Sequence, residues 1–390
     1  EELDGISELV DVDADGESDL EEFKAVMLTA VPDDAPEKER FLRRKMRTTV
    51  RTLIMRQRFT SAVQSFDDRY NFLRFSDAEI IASSDQNIVR LQKDQTVFAA
   101  LAAMRAENVP CAPVYADEAL KDEPIGFLYM NDVIRLLLAT MQQMFKPAKD
   151  PVAVQLRLDR ISGDASTFGQ TPISSLVRND WKPIRPGYMV HNLGGVLAQG
   201  VRQVPYCNDE GDLVYLIFQE NFLAAFNDDP RVRLGSLAHV TAMELKCIKP
   251  VTKVPSTMPL AEAFKAADAD AASGHAAVVV DDTTGKVLWS VGPETLNAYG
   301  LHTPEALGIA LSKPVQDLYR DLLEQGAAKQ VDVQAVVTCT PSTSLQDMVK
   351  RVVESGRCRL WVVDDDERPI GVVLLTEMIA CIMSSEERKA

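Results

Sequence analysis

One compositional unit recurs four times between about residue 85 and the C-terminus. Each copy opens with a short apolar strand and a turn, followed by an amphipathic helix, a strand ending near an acidic turn, and a second strand that runs into another helix. The copies span residues 88–138, 183–226, 251–299 and 335–379. This alternation predicts one small α/β unit used repeatedly. Because one such unit cannot bury an adequate core alone, we expect the copies to pair.

The repeats resemble CBS domains, and four in one chain resemble the γ subunit of AMP-activated protein kinase and related adenylate sensors. The marks of this resemblance are three stretches: 362–365 followed by 371–373, 112–115 followed by 126–128 and Asp132, and 214–223. The resemblance implies an α/β (α+β) fold in which two tandem CBS pairs face each other as a flattened disc. The expected limits are 75–230 for the first pair and 231–390 for the second, after a calcium-loop segment at 1–34 and a basic connector at 35–74.

Composition bounds the function. The 390 residues carry a formal net charge of −16, which argues against sequence-independent binding of nucleic acid. No apolar run reaches the length of a membrane span, and no basic, apolar leader opens the chain, which begins at Glu1 as if trimmed. Six scattered cysteines without a CxxC pair favour a reducing compartment. We therefore expect a cytoplasmic protein, with a cytoskeletal or ciliary assembly as a guess that no residue supports.

The amino-terminal segment fits the EF-hand calcium loop. A hard cation needs several oxygens converging from a tight turn, and alternating aspartates before Gly16 supply them. The predicted Ca²⁺ ligands are Asp11, Asp13, Asp15, Glu17 through its carbonyl, Asp19 and the bidentate Glu22. Ser18 stands where a paired hand usually has an apolar residue, and no second loop follows. The alternative is an acidic helix–turn–helix that has lost its metal.

A basic amphipathic helix is predicted at 38–59, after Pro36 and two glutamates at its amino end. Its arginines alternate with apolar residues at roughly helical spacing. Such a helix can pack on its own CBS core, dock on another protein subunit, or lie on a membrane surface. The acidic segment next to it makes membrane binding the weakest of these interpretations.

The resemblance also implies where adenine nucleotides would bind. In CBS pairs an aspartate at the start of each repeat's last helix accepts hydrogen bonds from the ribose hydroxyls, and basic side chains on the facing strands hold the phosphates. The ribose positions fall on Asp132, Asn221, Thr295 and Glu377, so only the first keeps the family residue. Arg202 and Arg359 are the phosphate candidates, whereas the first repeat offers no base. At most one or two sites for AMP, ADP or ATP are predicted, where Arg359 or Arg202 meets Asp132 or Glu377; the alternative is a scaffold that senses no nucleotide.

No catalytic constellation stands out, because the four histidines are isolated and none has metal-ligand spacing. We expect no enzyme. The favoured function is a non-catalytic regulatory or scaffold subunit within a larger assembly of other protein subunits, tuned by calcium. The alternative is an adenine-nucleotide-sensing subunit that resembles the kinase γ subunit.

Overall fold

A computed structural model describes residues 68–82, 86–107, 109–116, 123–140, 166–227, 234–295, 304–324 and 336–387. The predicted calcium loop and the predicted basic helix at 38–59 lie outside the described residues. The chain divides into two compact regions. The described part of the smaller one comprises residues 68–80 and 187–191. It contains helix α1 (Asp68–Phe75), and two backbone hydrogen bonds join its segments: Ala78 N to Tyr188 O at 2.7 Å and Val190 N to Ser76 O at 2.9 Å.

The larger region holds the repeats, except for residues 187–191 of the second repeat. The first repeat runs β1 (Leu91–Gln92), α2 (Val97–Ala106), β2 (Cys111–Tyr115), β3 (Gly126–Tyr129) and α3 (Met130–Thr140). The second runs α4 (Val190–Leu197), β4 (Gln203–Cys207), β5 (Leu213–Phe218) and α5 (Gln219–Asn227). Both end with a strand that continues directly into a helix, as the sequence predicts.

The third and fourth repeats follow the same order. A short helix α6 (Ala242–Leu245) precedes β6 (Lys253–Pro255), α7 (Leu260–Ala269), β7 (Ala277–Val280) and β8 (Val287–Val291). Helices α8 (Pro304–Ser312) and α9 (Val315–Glu324) come next. The fourth repeat runs β9 (Thr338–Cys339), α10 (Leu345–Ser355), β10 (Arg359–Val363), β11 (Pro369–Leu374) and α11 (Leu375–Glu387).

The strand pairing is the same in three repeats. In the first, third and fourth, the opening strand lies parallel to the middle strand, and the middle strand lies antiparallel to the last. In the second repeat the opening strand is reduced to one parallel bridge, Ile184 to Tyr206, beside the β4–β5 ladder. The parallel step needs a helical crossover, which α2, α4, α7 and α10 provide.

Helix α10 illustrates how local sequence sets these elements. Ser344 caps its start by accepting a hydrogen bond from Asp347 N at 3.2 Å, and Gly356 ends it with a φ of 62°. Between them, buried Leu345, Met348, Val349 and Val352 recur at the spacing of one helix face. That face packs toward β10.

Buried clusters join the repeats. The sheets of the first and second repeats share Phe127, Cys207, Leu213 and Leu216, and those of the third and fourth share Ala276, Val278, Trp361 and Val372. Helices make the other contacts: α3 packs on α7, and α5 packs on α10 and α11. The helix-start positions implied by the resemblance therefore lie close to inter-repeat boundaries.

Within the described ranges, no helix is both long and apolar enough to cross a membrane. All six cysteines lie in described segments, and none forms a disulfide.

Candidate functional site

Three of the four helix-start positions are built in the same way. In the first, second and fourth repeats the last strand runs without a loop into a helix, so the residue in the helix's first turn is held by a strand and a helix at once. In the third repeat one bend residue, Gly292, separates β8 from the helical residues that include Thr295. Asp132 lies six residues after Gly126, and Glu377 lies six residues after Gly371. Both glycines belong to the last strand of their repeat. A carboxylate in the first helical turn is also favoured by the helix dipole.

Asp132 is bound by two arginines. Arg178 Nη2 donates to Asp132 Oδ1 at 2.5 Å, and Arg135 Nη1 donates to the same oxygen at 3.3 Å. The Asp132 side chain is 14% exposed, and its other oxygen, Oδ2, is buried without a hydrogen-bond partner among the described residues. One oxygen of the predicted ribose carboxylate is therefore engaged by the chain's own cations.

Arg135 extends this network to the third repeat. Its Nε donates to Asp268 Oδ1 at 3.1 Å, and its Nη2 lies 3.3 Å from His275 Nε2. Arginine can only donate, so Nε2 accepts, and Nδ1 carries the proton that it shares with the Asp268 carbonyl at 3.0 Å. These contacts lie at a small crevice whose lining includes Asn131, Ile134 and Phe264. Arg135 thus ties the first repeat to the third.

Tyr129 occupies the space beside Asp132. Its hydroxyl donates to Asp180 Oδ2 at 2.7 Å and accepts from Gln203 Nε2 at 2.8 Å, and the Arg178 guanidinium lies 5.2 Å from its ring centroid. Burial, reinforced by the hydrogen bond to Asp180, raises the pKa of the Tyr129 hydroxyl. The Tyr129 side chain therefore makes hydrogen bonds at the boundary between the first and second repeats.

Glu377 is also paired. Lys249 Nζ lies 3.2 Å from Glu377 Oε1, and both side chains are partly exposed. The carboxylate of the fourth repeat therefore meets a cation from the segment ahead of the third repeat, as Asp132 meets one from the segment ahead of the second.

Asn221 and Thr295 serve their own helix starts. Asn221 Oδ1 accepts from Phe218 N at 2.8 Å, and Thr295 Oγ1 accepts from Gly292 N at 3.0 Å. Each side chain thus satisfies an amide three residues earlier, at the turn from strand to helix. At these two positions the side-chain oxygen is committed to the backbone.

Arg359 is the most buried cation of the candidate set. Its side chain is 4% exposed, and its Nη1 lies 3.3 Å from Glu294 Oε1 of the third repeat. It also lies 5.9 Å from the Trp361 ring centroid. Its Nε and Nη1 have no well-aligned hydrogen-bond acceptor among the described residues. A buried guanidinium with unsatisfied donors is a place where an anionic group would gain hydrogen bonds.

Arg202 lies immediately before β4, where its carbonyl accepts from Gln219 N at 3.1 Å. Burial raises the pKa of the nearby Cys111 thiol to about 12, and the charge of Arg202 opposes that rise. Burial likewise raises the pKa of Glu220, again against Arg202. Arg202 therefore acts on the surroundings of the second repeat's helix start.

The predicted site residues thus belong to separate ion pairs, and the sequence does not indicate this separation. Ion pairs join Asp132 to Arg178 and Arg135, Glu377 to Lys249, and Arg359 to Glu294. Sequence reasoning missed Arg178, Lys249 and Glu294. The available signal is weak: Arg178 and Lys249 are each one of two cations that shortly precede the opening strands of the second and third repeats.

A search of the described segments finds no group of three or more histidine, cysteine, aspartate or glutamate side chains placed to hold a metal ion. The six predicted calcium ligands lie outside those segments and stay a prediction.

Comparison with known proteins identifies CBS domains in the chain. The CBS domain family matches residues 79–139 and 328–384, which contain the first and fourth repeats. No curated protein matches the sequence. The assignment of the second and third repeats to the same family is not covered by these matches.

Three solved structures are similar to parts of this chain. A protein of Methanocaldococcus jannaschii, described as a candidate archaeal homologue of the γ subunit of AMP-activated kinase, is 14% identical, with 77% of this chain and 98% of that chain covered and a TM-score of 0.55. An uncharacterized conserved protein of Pyrococcus horikoshii is 14% identical over 78% and 99%, at 0.44. The Arabidopsis thaliana CBS-pair protein CBSX2, solved with AMP, is 16% identical over 39% and 96%, at 0.28. The first of these likenesses establishes a shared fold.

Proposed function

We propose that this chain is a non-catalytic regulatory or scaffold subunit of a larger protein assembly, in which four CBS repeats form two pairs. The observation that carries the proposal is the state of the four helix-start positions. Asp132 and Glu377 are bound to cations of the same chain, and Asn221 and Thr295 are bound to backbone amides. A chain whose helix-start positions are bound internally in this way can contact other proteins without binding a nucleotide at every cleft.

Each closed position disfavours a ribose for a separate physical reason. A carboxylate can hold a vicinal diol only if both of its oxygens can accept, and charge-assisted bonds from arginine or lysine compete with neutral hydroxyls. An amide or hydroxyl oxygen committed to a helix start would leave a backbone N–H unsatisfied if it turned to a ligand, which costs about 1–3 kcal/mol when that amide is buried.

Calorimetric titration of the purified full chain with AMP, ADP and ATP tests this proposal. We expect no binding at the Asp132 and Glu377 clefts, and therefore at most one nucleotide per chain. D132N and E377Q variants are the matched controls, because they should leave any residual heat unchanged. Heat that disappears in D132N or E377Q would overturn the proposal.

A second candidate function, adenine-nucleotide sensing at one cleft, is favoured by Arg359. Its two unsatisfied donors suit a phosphate at the boundary of the third and fourth repeats. Gly292 precedes Thr295 by three residues, as Tyr129 precedes Asp132 in the first repeat, and it has no side chain. If one nucleotide binds, R359M should abolish that binding while R320A, which removes an exposed ion-paired arginine, should not.

We also propose that the segment ahead of the repeats tunes the assembly. Asp11, Asp13, Asp15, Glu17, Asp19 and Glu22 would bind one Ca²⁺ ion, and the basic helix at 38–59 would dock on an acidic partner subunit or on the calcium loop itself. Apolar side chains such as Leu53 and Ile54 would set the affinity of that docking, since burying each would contribute roughly 1.5–3 kcal/mol. Replacing both with Asp should release the partner, whereas replacing Arg43 and Arg44 with Ala should mainly alter the salt dependence. The opposite ranking would refute this part of the proposal.

A further inference from the structure

Arg178 and Lys249 hold equivalent positions in two different repeats. Arg178 exchanges two backbone hydrogen bonds with Phe127, at 2.9 and 3.0 Å. Lys249 exchanges two with Val372, at 2.8 and 2.9 Å. Phe127 and Val372 both directly follow a glycine of the repeat's last strand. Each cation is therefore positioned by a short antiparallel bridge on the edge of another repeat's sheet.

The two glycines make this positioning possible. A Cβ on Gly126 would lie 2.0 Å from the Arg178 carbonyl oxygen. One on Gly371 would lie 2.3 Å from Ile248 Cγ2 and 3.0 Å from the Lys249 carbonyl oxygen. Both crossings thus depend on the absence of a side chain where the leading segment approaches the strand. The repetition of the same arrangement at two places indicates a built feature of the repeats.

Each bridge places its cation on the carboxylate six residues after the glycine. Arg178 Nη2 lies 2.5 Å from Asp132 Oδ1, and Lys249 Nζ lies 3.2 Å from Glu377 Oε1. The two cations are 46% and 40% exposed, so each pair is a partly solvated one. Such pairs contribute little to stability, so the cation can be removed without losing the fold.

We infer that Arg178 and Lys249 determine ligand selectivity: they are built-in occupants of the ribose carboxylates and exclude adenosine ribose from two clefts. The inference rests on the proposed function and names the residues that enforce it. Asp132 retains the residue type that a vicinal diol requires, and its Oδ2 has no hydrogen-bond partner among the described residues. Withdrawing Arg178 would leave Oδ1 with only the longer bond from Arg135 Nη1, at 3.3 Å, so both oxygens could accept from the two hydroxyls.

The test compares AMP binding to four full-chain variants by calorimetry: R178A, R178K, R178A/D132N and R320A. We expect R178A to bind AMP at least tenfold more tightly than the natural chain, and R178K to stay closed because it keeps the charge. The added change at Asp132 should cancel the gain, and R320A, which removes another exposed, ion-paired arginine, should bind like the natural chain.

K249A provides an independent second cleft if R178A does not fold, with K249A/E377Q as its control. The inference is overturned if the R178A and K249A proteins have the same unfolding temperature as the natural chain yet bind AMP no better than it does. It is also overturned if the gain survives in R178A/D132N. Nucleotide binding by the natural chain at Asp132 would instead refute the proposed function, so the two failures are distinguishable.

Discussion

The Arg359 guanidinium of the fourth repeat lies 3.3 Å from the Glu294 carboxylate of the third repeat, measured from Nη1 to Oε1. The arginine is almost fully buried, whereas the glutamate is 37% exposed. The buried charge of Arg359 therefore needs compensation, and Glu294 provides it at the boundary where the two sheets share a buried cluster.

Removing that compensation should destabilise the protein. E294Q keeps the shape but leaves the Arg359 charge without its carboxylate. Full loss of a buried partner costs about 3–5 kcal/mol, and the exposure of Glu294 reduces the expectation to roughly 1–2 kcal/mol. Urea unfolding measures the change. The control is D317N, which removes the partner of exposed Arg320 and should change stability by less than about 0.5 kcal/mol. Equal effects of the two variants would contradict this account of Arg359.

Gly126→Ala should be strongly destabilising. The added Cβ would meet the Arg178 carbonyl oxygen at 2.0 Å, at a φ of +153°, so the bridge or the strand must move. We expect a loss of at least about 3 kcal/mol in the free energy of unfolding, because neither backbone can yield cheaply. The matched control is Gly195→Ala in α4, where nothing lies within 4 Å of the new atom. It should be neutral or stabilise by about 0.5–1 kcal/mol, since alanine is the better helix former. Similar losses in both variants would show that the close approach at Gly126 is not the cause.

Glu220 gives the stability of the fold a pH dependence of known sign. Burial raises its pKa above the ordinary value of 4.5, so between 4.5 and the raised value the folded state binds more protons than the unfolded state. Stability then falls as pH rises through that interval. E220Q should remove this fall, so the variant should be the more stable protein at pH 7 and lose its advantage below about pH 4. Chemical unfolding at a series of pH values measures it.

Asp270 provides the contrast for that experiment. Hydrogen bonds from Thr252 and Ser273 outweigh burial and lower its pKa below 3.8. Its contribution is present above pH 3.8 and is lost as the pH falls through the lowered value. D270N should therefore be less stable than the natural chain at pH 7 and approach it at low pH. If E220Q and D270N changed stability in the same direction, the assigned pKa directions would be wrong.

The repeat architecture could be predicted from the sequence because it is encoded locally. Apolar strands followed by acidic turns predicted the order of elements, and β10 and β11 of the fourth copy fall in that order. Ser344 directly precedes the apolar helical spacing of α10 and is its N-cap. Such signals depend on residues within one turn or one strand.

The state of the candidate site could not be predicted in the same way. Arg178 and Asp132 are 46 residues apart in the chain, and the pairing of Lys249 with Glu377 joins the third repeat's leading segment to the last helix. Neither pairing follows from composition, because it depends on which sheet edge a leading segment crosses. The resemblance to CBS domains implied Asp132 and Glu377 but not their partners.

The calcium prediction concerns Glu22. E22Q removes one oxygen of a bidentate contact and one negative charge, so it should weaken Ca²⁺ binding to the full chain more than a change at any other ligand position. Calorimetry with calcium alone, followed by circular dichroism for helix content, measures it. S18A is a control inside the same loop, since Ser18 is not a predicted ligand. If calcium produces neither heat nor a change in helix content, the loop does not bind the metal.

The central claim is that the chain's own cations occupy the ribose carboxylates. A crystal structure of the full chain grown with saturating AMP tests it most directly. The account predicts Arg178 on Asp132 and Lys249 on Glu377, with at most one AMP, its phosphate on Arg359. An AMP ribose hydrogen-bonded to Asp132 or Glu377, or three or more nucleotides per chain, would contradict the account.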